Sequence, residues 1–383
     1  MRLREIFQPQ EFEFVLTEAE ARIQHAEDIV FWEGSKGAVR ALDALRSLEG
    51  KGHEKVTIKW DGSPAIIFGR NDDGEFILTD KSGWGAKGYD GKVKSGEALE
   101  DMLLSRSGGK NRDNPDYQAF AGKMKSIFDE YERAVPEDFR GFFKGDLLYF
   151  STPPVKNKNF VFKPNVVEYA VDVDSDLGKR IGQSETGVVI HRQMDLEGNE
   201  SEVQNADVFQ GSEVLVVPPV SVEKPAEIDN EQTDELAQVI KQNAAGLDEL
   251  LTKDTLTENK MKDFPNMLYA YTNSKVDTGL ENLGEDFVAW LERQPRISER
   301  KKENVKNYIQ EHDKAFAALW RVVSAIMTVK NRIIDQFDTQ STSVKQSMAG
   351  EKGGEGYVLA HPEGDIKLVP RQTFSRINRA VER

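Results

Sequence analysis

The stretch VTIKWDGSPAIIFGRNDDGEFILTDKSGW, residues 56 to 84, places a single lysine, Lys59, between a β-branched strand pattern and a glycine turn. An amine there is a candidate nucleophile. A free lysine has a pKa near 10.4, so roughly one in 2,500 is neutral at pH 7. Use as a nucleophile requires nearby cations or desolvation to move it toward neutrality. Lowering the pKa by two to three units takes roughly 3 to 4 kcal/mol. The chemistry therefore calls for further cations near Lys59, and for carboxylates able to hold a divalent metal.

Three groups supply them. DKSGWGAKG offers Lys81 and Lys87 just after the second strand of a hairpin. FKGDLLYF places Asp146 after a glycine in an apolar strand pattern. Near the C-terminus EGYVL gives Glu355, and IKLVPR gives Lys367 and Arg371.

The elements that must position these residues follow from periodicity. Val56 and Ile58 alternate with polar neighbours, Ala65 to Phe68 form an apolar run, and Asn71-Asp72-Asp73-Gly74 carries turn chemistry before Phe76 to Leu78. The first 50 residues read as mainly helical, with Ala38, Val39, Leu42, Leu45 and Leu48 on one face after Gly34-Ser35-Lys36-Gly37. From about 54 to 200 the chain is strand-rich, interrupted by helical spacing at Glu97 to Leu104 and Tyr117 to Ala134. VLVVPPVSVEKPAEIDNE, 214 to 231, reads as a connector. From about 232 to 340 the pattern is helical. Its best case carries Phe316, Leu319, Trp320, Val323, Met327, Lys330, Ile334 and Phe337 on a 3.6-residue stripe, apolar but for Lys330. The segments expected are 1–50 helical, 51–213 as the first part of a core, 232–345 as a helical insertion, and 346–383 completing the core with a basic C-terminus.

Composition bounds the rest. A chain of 383 residues is long enough for two or three cores, and 38% hydrophobic with 31% charged residues describes a soluble globular protein. No apolar run approaches the length of a membrane span, and the N-terminus lacks the continuous apolar segment of a secretory signal, so the expected location is the cytoplasm. With no cysteine, disulfides and thiolate chemistry are excluded, and the five histidines form no HxxxH or HExxH pair. A net charge of −15 argues against bulk attraction to nucleic acid and leaves room for a local basic patch. Candidate patches are Arg300-Lys301-Lys302 and the C-terminal run of Lys367, Arg371, Arg376, Arg379 and Arg383.

Taken in order, Lys59-Trp60-Asp61-Gly62, the basic residue Lys81, Gly145-Asp146, an aromatic strand, Glu355-Gly356-Tyr357-Val358-Leu359 and Ile366-Lys367-Leu368 resemble the motif series of the covalent nucleotidyltransferases, the superfamily of ATP-dependent DNA and RNA ligases and mRNA capping enzymes. The resemblance implies an α+β fold with an antiparallel-sheet nucleotidyltransferase core, here carrying a large helical insertion. It implies Lys59 as nucleophile toward the α-phosphate of ATP, Asp61 and Gly62 shaping its loop, and Lys81 near the phosphates. It further implies Asp146 at the ribose or metal, Tyr169 stacking on the purine, Glu355 at Mg2+ (or Mn2+), and Lys367 on the α-phosphate, with Arg371 as a supporting cation. KWDGSPA is also similar to a group of uncharacterised tailed-phage proteins, which implies a phage origin and the host cytoplasm.

The series departs from the ligase pattern at Pro64, where Arg or Lys is common and Arg70 is the nearest substitute, and at Val369, where a second lysine is common. A rival placement of the glutamate motif exists at ETGVVIH, 185 to 191, without a lysine-bearing strand after it. The 16 residues after Lys367 leave no room for a C-terminal OB module, which phage RNA ligases can lack. The function expected is an ATP-dependent RNA ligase that forms lysyl-AMP and seals 5′-phosphate to 3′-hydroxyl ends. The alternatives are a DNA ligase, a GTP-using or non-nucleic-acid nucleotidyltransferase, and a non-catalytic phage binding protein of the same fold.

Overall fold

The computed structural model describes residues 24–85, 93–201, 203, 209, 213–227, 230–277, 279–280, 282–340, 343–374 and 377. Lys87, Arg376, Arg379 and Arg383 lie outside them. Helices and largely antiparallel sheets make this an α+β protein. The chain forms two compact units. One comprises residues 1–59, 220–340 and 355–383; the other comprises 60–219 and 341–354. The boundary falls inside the KWDG motif, between Lys59 and Trp60.

The first unit is a helical body carrying a small sheet. Its strands lie in the order Gln24–His25, Ile366–Leu368, Tyr357–Leu359, Val56–Ile58, the first pair parallel and the others antiparallel. The helix Asp313–Thr339 buries every position of the stripe read from the sequence, Lys330 included. Helix Asn230–Leu251 packs closely on it at Gly246, where a Cβ would lie 3.2 Å from that of Ala318. The N-terminal helix Ile29–Ser47 bends at Gly34 (φ 60°, ψ −135°), a left-handed conformation that suits glycine. Asp248 secures the bend by accepting hydrogen bonds from the Ser35 amide (2.9 Å) and hydroxyl (2.8 Å). Ala38, Leu42, Leu45 and Leu48 are buried as their spacing predicts, whereas Val39 is 46% exposed. The 232–340 helices thus pack with the N-terminal helix and with the strands Tyr357–Leu359 and Ile366–Leu368. Periodicity shows that a helix has an apolar face, not which distant segment covers it.

The second unit holds two sheets. The larger runs Glu200–Ser201, Thr186–Met194, Gly141–Tyr149, Ala65–Arg70, Phe76–Asp80, with Val214–Val216 also joined to Thr186–Met194. One face is sealed by Ile66, Phe68, Phe76, Leu78, Phe143 and Leu147 against the helices Gly96–Ser105, Pro115–Ser126 and Phe128–Ala134. On the opposite face Ile67, Ile77, Phe142 and Met194 form a small buried cluster with Trp84 against them. The smaller sheet runs Glu351–Lys352, Val344–Met348, Val167–Asp172, Asn159–Phe162, Val155–Lys156. Residues 341–354 thus complete a sheet of the second unit, and 355 onward belong to the first.

Candidate functional site

In the first unit, strand register gathers Lys59, Glu355 and Lys367. Ile58 pairs with Tyr357, and one residue further the Lys59 amide donates to the Gly356 carbonyl at 2.9 Å. Gly356 is obligatory: a Cβ there would lie 2.3 Å from the Leu368 carbonyl oxygen. This close approach brings Glu355 to Lys59, and their side chains form an ion pair across 296 residues of sequence. Both remain partly open, with side-chain exposures of 25% and 15%. Thr57 pairs with Val358, Val358 with Lys367 and Lys367 with His25, so this row crosses the sheet on one face, and Lys59 follows Thr57 on it. The rival acid Glu185 belongs to the second unit, where its amide donates to the Glu213 carbonyl at 2.8 Å.

Sequence reasoning does not single out His25, Glu27 or Asp28, and it marks Lys330 only as a cation in the apolar stripe. His25 Nδ1 is buried with no hydrogen-bond partner. Burial, and then the positive charges of Arg371, Lys330, Lys367 and Lys59, hold its pKa well below that of an ordinary histidine, so the ring is neutral at pH 7. Behind it lies a buried charge cluster. Lys330 donates to both oxygens of Glu27 at 2.8 and 2.9 Å, and Arg371 makes a two-pronged contact with Asp28. Burial raises the Glu27 carboxyl, but Lys330 and Arg371 outweigh it and hold the group below the ordinary range. Arg371 is therefore no phosphate ligand: it is 3% exposed and both of its Nη atoms are occupied by Asp28. The one advance signal of this cluster was Lys330, a cation inside an apolar stripe.

The second unit holds the remaining motif residues. Asp61 is 6% exposed, and its carboxylate accepts from Asn165 Nδ2 (2.8 Å) and from the amides of Val166 (2.8 Å) and Val167 (3.0 Å). It thereby ties the loop after Lys59 to the start of the Val167–Asp172 strand. A Cβ on Gly62 would meet that of Asp146 at 2.6 Å, so glycine is required beside the acid. Asp146 Oδ2 lies 2.8 Å from His191 Nε2. His191 is the extra residue of a bulge: Lys144 pairs with Arg192 while Gly145 pairs with Ile190. Lys81 is exposed and follows Asp80, whose partner Ile66 neighbours Ala65, the partner of Asp146. Gly62, Lys81 and Asp146 therefore share one end of this sheet.

Two expectations change. Tyr169 is fully buried, its hydroxyl accepts from the Asp61 amide at 2.6 Å, and its ring packs on Trp60 and Phe162. No ring face is left for a purine, and the residue anchors the loop instead. Arg70 sits at the far end of its strand, 8% exposed, donating to the carbonyls of Gly74, Glu132, Val135 and Pro136, and does not substitute at Pro64.

Among the described residues no three His, Asp or Glu side chains cluster as a metal cage. Mg2+ does not need one: it commonly uses one or two carboxylates, water and substrate phosphates. Glu355 fits that donor set.

No curated protein and no solved structure matches the chain. A model of a family of unknown function, DUF6267, matches residues 20–97 and 109–383. With nearly the whole sequence matched, the chain belongs to that family.

Proposed function

We propose that this protein is a covalent nucleotidyltransferase of the RNA-ligase type, with an antiparallel nucleotidyltransferase core, acting on ATP. The observation that carries the reading is the Lys59–Glu355 pair, with Lys367 on the neighbouring strand, assembled from three short motifs in the order of the ligase series. Glu355 holds the Lys59 ammonium in the resting protein. Bound Mg2+, with Glu355 and phosphate oxygens as ligands, would screen phosphate charge and polarise the α-phosphorus. Once Glu355 turns from the amine, the Lys59 ammonium gives one proton to solvent before its nitrogen can attack. The Lys59 nitrogen then bonds to the α-phosphorus, the α–β phosphoanhydride breaks, and the amine proton leaves to solvent with release of pyrophosphate. Lys367 offsets charge developing on the phosphoryl oxygens. Transfer of AMP to a 5′-phosphate, and sealing by a 3′-hydroxyl, follow from the resemblance alone.

Incubation with each α-labelled nucleotide in turn tests the reading. An acid-labile adduct with ATP supports it, and an adduct with GTP alone moves the protein to the capping-enzyme chemistry. The burial of Tyr169 favours a second reading, a non-catalytic binding protein. A folded protein that gains no adduct from any nucleotide would establish that reading in its place.

A further inference from the structure

Of the basic residues expected to meet nucleic acid, three described ones are already engaged or buried. Lys301 pairs with Asp263, Lys302 is 6% exposed and donates to Glu299 and the Glu292 carbonyl, and Arg371 is buried. A different set is open. From Leu147 to Val167, 21 successive residues contain no acid, in a chain with 66 of them. This stretch builds the edge hairpin of the second unit's smaller sheet, Val155–Lys156 and Asn159–Phe162, turned through Asn157 (φ 48°) and Lys158 (φ 61°). Lys156 and Lys158 are exposed, Val155 is 57% exposed, and Lys163 is exposed just past the second strand.

Register extends the pattern. Lys156 pairs with Asn159 and Asn159 with Asp172; Val161 pairs with Ala170 and Ala170 with Lys345; Glu168 pairs with Ser347 and Ser347 with Lys352. These alternate with the buried Phe160, Phe162, Val167, Tyr169 and Val171, so they form the outward face. Five exposed lysines (156, 158, 163, 345 and 352) thus lie on or beside one sheet face whose paired acids are Glu168 and Asp172. None of the five makes an ion pair or a side-chain hydrogen bond among the described residues. Elsewhere in this unit Lys94, Lys125 and Lys144 are each paired with a glutamate.

We infer that this lysine face, with the edge hairpin at its centre, binds the phosphate backbone of a polynucleotide strand. The choice of partner rests on the ligase reading above. Unpaired ammonium groups on an open sheet lose little hydration on meeting phosphates, and release of condensed counterions drives the association. The contacts carry no base information, so the face positions a strand without selecting its sequence.

The test measures binding of a short single-stranded oligoribonucleotide by anisotropy across a salt series, for the wild type, for the triple variant K156A/K158A/K163A, and for the matching lysine-to-arginine triple. The alanine variant is expected to bind at least tenfold more weakly at low salt. Its log–log salt slope should be shallower by about 2, at about 0.7 per lost phosphate contact for a single strand, and the arginine variant should restore both. Superimposable salt lines for wild type and alanine variant overturn the inference. So does a wild type that binds vesicles rich in phosphatidylserine but no oligonucleotide. Lysyl-AMP formation from ATP alone is read in parallel: if it persists while the oligonucleotide fails to bind, the face is wrong and the catalytic reading stands.

Discussion

Two lysine–glutamate pairs in the first unit join residues about equally far apart in sequence, yet they sit in opposite surroundings. Lys330 and Glu27, 303 residues apart, have side-chain exposures of 1% and 0% and lie against a second ion pair. Lys59 and Glu355, 296 residues apart, keep 25% and 15% exposure at the margin of the sheet. A buried pair cannot part without stranding a charge, whereas a half-open pair exchanges partners at modest cost. The contrast separates a lysine fixed for folding from the lysine that the proposed function uses as its nucleophile.

The comparison breaks most visibly at Lys330. Substituting Lys330→Met leaves Glu27 buried without its partner and is expected to cost about 3–5 kcal/mol in denaturant unfolding. The double substitution E27Q/K330M should recover a large part of that loss. A Lys330→Met protein as stable as the wild type would remove the structural half of the contrast.

Asp338 sharpens it as an intermediate case. Its carboxyl accepts a hydrogen bond from the Tyr357 hydroxyl at 2.7 Å, and burial pushes its pKa up to about 6 from 3.8. The folded state keeps this proton through a range in which the unfolded chain has lost it. Stability should therefore fall as pH rises from about 4 to about 6 and be independent of this group outside that window, by up to about 3 kcal/mol. Subtracting the pH–stability profile of Asp338→Asn from that of the wild type isolates the effect, and a flat difference would refute it.

The smallest effect on stability belongs to Lys59, the proposed nucleophile. Lys59→Ala should change unfolding free energy by no more than about 1 kcal/mol, since a half-open pair contributes little. A cost as large as that at Lys330 would make Lys59 a folding residue as well.

What the sequence disclosed follows the same division. Lys59, Glu355 and Lys367 were legible because each lies within a short local signature, and register then joined three such signatures on neighbouring strands. The apolar stripe from Phe316 to Phe337 was legible because a helix repeats every 3.6 residues. Glu27 and Asp28 were not, since two adjacent acids before a helix look like any solvated start. Only packing against Lys330 and against Arg371, 343 residues away, gives them meaning. Tyr169 misled for a related reason: alternation marks an aromatic residue in a strand without saying which face is covered. The division of KWDG between two units had no local mark either, because a unit is defined by contacts among distant segments.

The most direct test is the intact mass of the protein after incubation with ATP and magnesium, followed by peptide mapping. The account predicts a gain of one AMP, located on Lys59 and absent from Lys59→Ala. An unchanged mass in the wild type, or an adduct that persists in the alanine variant, would contradict it.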